Sequence, residues 1–161
     1  MMTLANPRTE ATSLWLEDFA VGQVYAAGPI PIAADAIKAY ARAFDPQPFH
    51  TDEQFAETTF FRGLVASGWH TASLTMRLVV EALPIAGGVI GGGVDELRWP
   101  RPLRPGDELH LEGEIIEVRP SRSKPTQGLV RVRTTTFNRE RQAIQTMIAN
   151  LVVPRRPTES Q

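Results

Sequence analysis

The chain contains no cysteine, which removes disulfides, thiolate nucleophiles and cysteine-based metal sites together and suits a cytoplasmic protein. Lysine is scarce too. Arginine supplies 15 of the 17 basic residues, so planar guanidinium groups dominate the positive charge. That charge is balanced by 18 acidic residues, and a net charge of −1 argues against a dedicated nucleic-acid binder. No apolar run approaches the roughly 20 residues of a bilayer-spanning helix, and no membrane association is expected. The first residues lack a basic segment followed by an apolar core, so no signal peptide is expected. There is no internal repeat and no low-complexity segment. Several catalytic motifs are missing as well. No Gly-x-Ser-x-Gly elbow occurs. The glycine run 87 to 93 lacks both Gly-Lys-Ser/Thr and Gly-x-Gly-x-x-Gly, against phosphate cradling. His50, His70 and His110 share no metal-ligand spacing, so no metal is expected.

What is present describes one ordinary globular domain. At 161 residues, with 42% hydrophobic and 22% charged side chains, the chain is long enough to bury a proper core. Residues 1–13 and 154–161 read as loose tails around a single domain at 14–153. An apolar strand is expected from Val24 to Ile32. Ile37, Tyr40, Ala41 and Phe44 then mark one face of a helix that Pro46 stops. Thr51 to Thr58 reads as a short helix capped by Thr51. Gly68 to Leu83 reads as a long helix with Ser67 as N-cap and Pro84 as stop. Its polar residues His70, Ser73, Arg77 and Glu81 fall on one stripe, so the other faces are expected to be wrapped. The wrapper is a set of strands: Val89–Trp99, a run with Leu109, Leu111, Gly113, Ile115 and Glu117 on one side, Val130–Asn138, and Ala143–Val153. Three glycines inside the first of these suggest close approach by a backbone or ligand. Asn138 to Arg141 is a hairpin turn. The order of elements predicts α+β, with a curved antiparallel sheet around the long helix.

The chemistry concentrates between Phe44 and Leu83. In Asp45-Pro46-Gln47-Pro48-Phe49-His50, two prolines present an acid and an imidazole stiffly on what reads as a loop. On that placement, both side chains are expected to be dispensable for stability. Taken alone, Asp45 could equally cap a turn and His50 the following helix. Gly68 then opens the long helix, and the first N–H groups of a helix lack partners and carry partial positive charge. Ser67 alone reads as a helix cap, Ser73 as a support bonded to a backbone carbonyl, and His70 as a core-edge side chain. Arg98, Arg101 and Arg104 crowd a proline-rich corner that is either solvated or meets a phosphate.

These residues resemble a known family. The loop from Asp45 to His50, with Ala56 six residues on, is similar to the Asp-x-Asn-Pro-x-His-x(5)-Ala/Ser signature of MaoC-like (R)-specific enoyl-CoA hydratases. Phe61-x-x-Leu64-Val65-x-x-Gly68 and the corner Arg98 to Asp107 resemble further stretches of that family. The resemblance implies a hotdog fold and a homodimer or higher oligomer with thioester sites at the subunit interface. It further implies hydration of an enoyl thioester of coenzyme A or a carrier protein, with no cofactor. Asp45 and His50 match the catalytic pair, Gly68 the oxyanion donor, and Ser67 and Ser73 neighbouring site positions; Arg101 and Arg104 are candidates for the coenzyme phosphates. Three positions depart from the pattern: Gln47 stands for Asn, Phe44 for Gly, and Ser67 for His. A thioesterase or a non-catalytic thioester-binding module are the rival readings.

Overall fold

A computed structural model describes residues 12–158. Of the two segments read as loose tails, residues 1–11 and 159–161 lie outside the described residues. Within them, Leu14 bridges to Ile85, and Arg155 and Arg156 pair with Glu17 and Asp18. Five antiparallel strands form one curved sheet: β1 (Val24–Pro31), β2 (Ile90–Arg98), β3 (Glu108–Pro120), β4 (Gln127–Phe137) and β5 (Ala143–Pro154). Their spatial order is β1-β3-β4-β5-β2, so the last three strands meander while β2 lies on the far edge against β5.

Alternation along β3 and β4 decides which face is buried. Leu109, Leu111 and Ile115 point inward with Val130 and Val132, while Glu112, Glu114, Arg131 and Arg133 point outward. A register shift between Ile115 and Glu117 interrupts the pattern, and Val118, not the expected Glu117, continues the packed face. One extra residue in a strand moves everything after it to the other side. On the outer face the arginines lie in ion pairs, such as Arg139 with Glu108 at 2.7 Å and Arg141 with Glu112 at 2.8 Å.

The helices lie on the inner face. They are α1 (Ala34–Phe44), α2 (Pro48–Thr51), α3 (Glu53–Glu57) and α4 (Gly68–Ala82). The expected helix Thr51–Thr58 is in fact two pieces. Asp52 caps the second, accepting the Phe55 N–H at 3.0 Å, while Thr51 ends the first. The long helix buries Thr71, Thr75, Leu78 and Val79 at helical spacing, and the Thr75 hydroxyl meets that of Thr136 on β4 at 2.9 Å. It is not wrapped all round. Trp69, Met76 and Val80 are exposed, whereas His70, placed by the sequence on the polar stripe, is buried.

The glycines of β2 also differ from expectation. A Cβ would approach another backbone only at Gly92, 3.4 Å from the Asn150 carbonyl; Gly91 and Gly93 face open space. Gly93 has φ +135° beside a register shift, so glycine here serves a bulge at an open sheet edge. Among the described residues, no helix is long and apolar enough to cross a membrane.

Candidate active site

Asp45 is the first residue after α1, its N–H held by the Ala41 carbonyl at 2.9 Å, and Pro46 prevents the helix from continuing. Pro48 occupies the first position of α2, which turns His50 back toward the acid. The imidazole is therefore on a helical turn and 5% exposed, not on a loop as the sequence suggested. Its Nδ1 lies 2.6 Å from the Val65 carbonyl oxygen. A carbonyl can only accept, so Nδ1 carries a hydrogen and the neutral ring keeps its lone pair on Nε2. That nitrogen faces Asp45 Oδ2 at 3.3 Å.

The acid is held from two sides. Hydrogen bonding from the Ser67 hydroxyl, with the Gln47 amide donating to Oδ1 at 2.7 Å, keeps the Asp45 carboxyl below the usual carboxylate range despite partial burial. An ionised carboxylate accepts only. When the His50 ring is neutral, its Nε2 and Asp45 Oδ2 face each other as two acceptors, an arrangement that a water donating both of its hydrogens satisfies. Gln47 and the Val65 carbonyl are the parts of this site that sequence reading missed. The first was visible only as a departure from a family pattern, and nothing local announces the second.

Ser67 joins the acid to the long helix. It is 1% exposed, and its Oγ accepts the Trp69 N–H at 3.3 Å as N-cap. The Gly68 N–H, one residue earlier in the same turn, has no partner among the described residues. Asp45, His50, Ser67 and Gly68 all line one cavity of about 430 Å³, whose walls include the aromatic residues Phe61 and Trp99. No cluster of three or more His, Cys, Asp or Glu able to hold a metal occurs among the described residues.

The remaining candidates separate. Arg101 lines the cavity, whereas Arg104 donates to the Phe61 carbonyl at 2.6 Å and tethers the loop before α4. Ser73 lies outside the cavity on the exposed face of α4, where it donates to the Trp69 carbonyl at 2.8 Å and meets the Tyr40 hydroxyl at 3.3 Å. His70 stacks on Tyr40 with ring centres 4.5 Å apart; its Nδ1 has no hydrogen-bond partner among the described residues, and burial pushes its pKa down.

Comparison with known proteins places the chain in a family. The chain superposes on the MaoC-like dehydratase of Rhodospirillum rubrum with a TM-score of 0.87 and 48% identity, covering 91% of this chain and 100% of that one. The (R)-hydratase of A. caviae involved in PHA biosynthesis superposes with a TM-score of 0.72 at 29% identity, over 86% of this chain and 99% of that one. The uncharacterized protein YdeM of Bacillus subtilis is 30% identical over 126 residues, 78% of this chain and 88% of that protein. The model of the MaoC like domain matches residues 18–138, spanning the acid, the imidazole and the helix glycine. The hotdog sheet, the long helix inside it and this match have one explanation: the chain belongs to the MaoC-like dehydratase family.

Proposed function

We propose that the protein hydrates a trans-2-enoyl thioester reversibly, giving an (R)-3-hydroxyacyl thioester, with acyl-CoA or an acyl carrier protein as substrate in the cytoplasm. The observation that carries this reading is the opposition of Asp45 Oδ2 and His50 Nε2 at 3.3 Å in a cavity that Gly68, the first residue of α4, also lines. Family membership supports it. So does the 33% identity, over 87 residues, to the (R)-specific enoyl-CoA hydratase of Aeromonas caviae.

The chemistry follows from the proton inventory. A water held between the two acceptors gives a proton to His50 Nε2 as its oxygen attacks C3. The Val65 carbonyl fixes the hydrogen on Nδ1 and leaves Nε2 to take the proton, while the lowered pKa of Asp45 suits that carboxylate to hold the water and stabilise the imidazolium. Charge developing on the thioester oxygen is met by the Gly68 N–H, and a single donor of this type is worth about 10²–10³-fold in rate. The imidazolium then returns its proton to C2. Water has added across the double bond, and no further reactant is needed.

Product analysis with crotonyl-CoA tests the proposal. Loss of the enoyl absorbance with formation of (R)-3-hydroxybutyryl-CoA is expected. Release of free thiol would instead mark a thioesterase, and binding without turnover a non-catalytic thioester module.

A further inference from the structure

Trp99, just after β2, and Gln145, on β5, form a pair that the hydration chemistry does not use. The indole face lies against the start of α4, where a Cβ at Gly68 would fall 2.8–3.0 Å from three ring atoms. Gly68 has no positive φ to demand glycine, so what it provides is room for that ring. Trp69 packs edge-on to the same ring at 5.4 Å. The indole N–H donates to Gln145 Oε1 at 2.8 Å.

Gln145 is 0% exposed, and among the described residues its amide nitrogen has only the Met147 sulfur at 3.8 Å as a further partner. A leucine would fill such a position without burying an amide. The amide's one strong partner is thus a cavity-lining ring that is itself 40% exposed. A buried polar group that holds a partly exposed wall fixes the orientation of that wall.

We propose that Trp99, locked by Gln145, is the specificity-determining wall of the cavity, and that it limits the bulk an acyl group can carry beside the thioester carbonyl. This rests on the placement of the thioester at the Gly68 N–H given above. Gln145 is then a positioning residue, acting through the indole without touching substrate. The ligand class that fits is an acyl thioester unbranched at C2.

Saturated thioesters test this without turnover. Calorimetry would give Kd for butyryl-CoA and 2-methylbutyryl-CoA with the wild type, Trp99→Ala, Gln145→Leu and Gln145→Glu. The wild type is expected to prefer the straight chain by about tenfold or more, the usual scale for one methyl group in a shaped pocket. Trp99→Ala and Gln145→Leu should bring the ratio close to one. Gln145→Glu, whose carboxyl oxygen can still accept the indole N–H, should retain it, a rescue that a purely structural glutamine would not show. If Gln145→Leu fails to fold, Trp99→Ala and Gln145→Glu decide. A wild type that binds both ligands equally or neither, a Trp99→Ala or Gln145→Leu variant that keeps the wild-type ratio, or a Gln145→Glu variant that loses it, overturns the inference. Selective binding without hydration of crotonyl-CoA would overturn the proposed reaction and leave the wall intact.

Discussion

At the scale of single residues, catalysis and stability come apart at the proposed pair. Removing either side chain should lower hydration kcat by about 10²–10⁴-fold. Stability is another matter. The sequence placed both residues on a loop, but His50 is buried and bonded to the Val65 carbonyl. His50→Ala strands that carbonyl and should cost about 1–3 kcal/mol. Asp45→Asn should cost less, since asparagine keeps an oxygen that still accepts from the Gln47 amide. Thermal melting of the two variants reads the difference, and equal melting temperatures would refute the buried bond. His70 adds a pH dependence. Burial lowers its pKa from 6.5, so the unfolded chain takes up the proton first as the solution is acidified. Its stabilising contribution is whole above pH 6.5 and declines below it, by at most about 1.4 kcal/mol per pH unit. Asp45 is also lowered, so its own contribution is whole above pH 3.8 and is lost on further acidification. Chemical denaturation between pH 7.5 and 5.5 should show the histidine slope. His70→Phe, which keeps a ring against Tyr40, should flatten it.

At the scale of elements, what the sequence reveals is what repeats. The helices at Ala34–Phe44 and Gly68–Ala82 and the meander β3–β5 were legible because periodicity and caps are local properties. The acid, the imidazole and the helix glycine were legible through a spaced motif. The bulge at Ile115 and the partners of Trp99 were not, because both depend on residues far away in sequence. The two arginines show the same limit. From sequence they were equivalent, but Arg104 bonds the Phe61 carbonyl and so holds the segment containing Arg62, which is in the left-handed region at φ 55°. Arg104→Ala should therefore lower the melting temperature and impair coenzyme A and pantetheine thioesters alike. Arg101, lining the cavity, is the better candidate for a phosphate. Its removal should cost about 1.5–3 kcal/mol of binding, a KM rise of about 10- to 150-fold with the coenzyme A thioester alone. Equal KM changes on both substrates would deny Arg101 that role.

At the scale of the whole molecule, the two sheet edges are unlike. The β1 edge carries Pro29 and Pro31, which cannot donate to another strand. The β2 edge has no proline and exposes Ile90 and Val94, and the bare face of α4 adds Trp69, Met76 and Val80. An open edge beside exposed apolar side chains is a template for pairing. A second copy meeting this edge across a two-fold axis satisfies both features at once, since the same patch then covers itself. The cavity adjoins that surface: Trp69 lines it while standing on the exposed helix face, and Trp99 lines it at the end of β2. Pairing would accordingly bring the partner's surface up to the site. Sedimentation at micromolar concentration should find a dimer, and Val94→Lys, which puts a charge into the edge, should shift it toward monomer. The loss of hydration should follow the loss of dimer as the variant is diluted. A wild-type chain that sediments as a stable monomer while turning over substrate would show that one copy completes its own site.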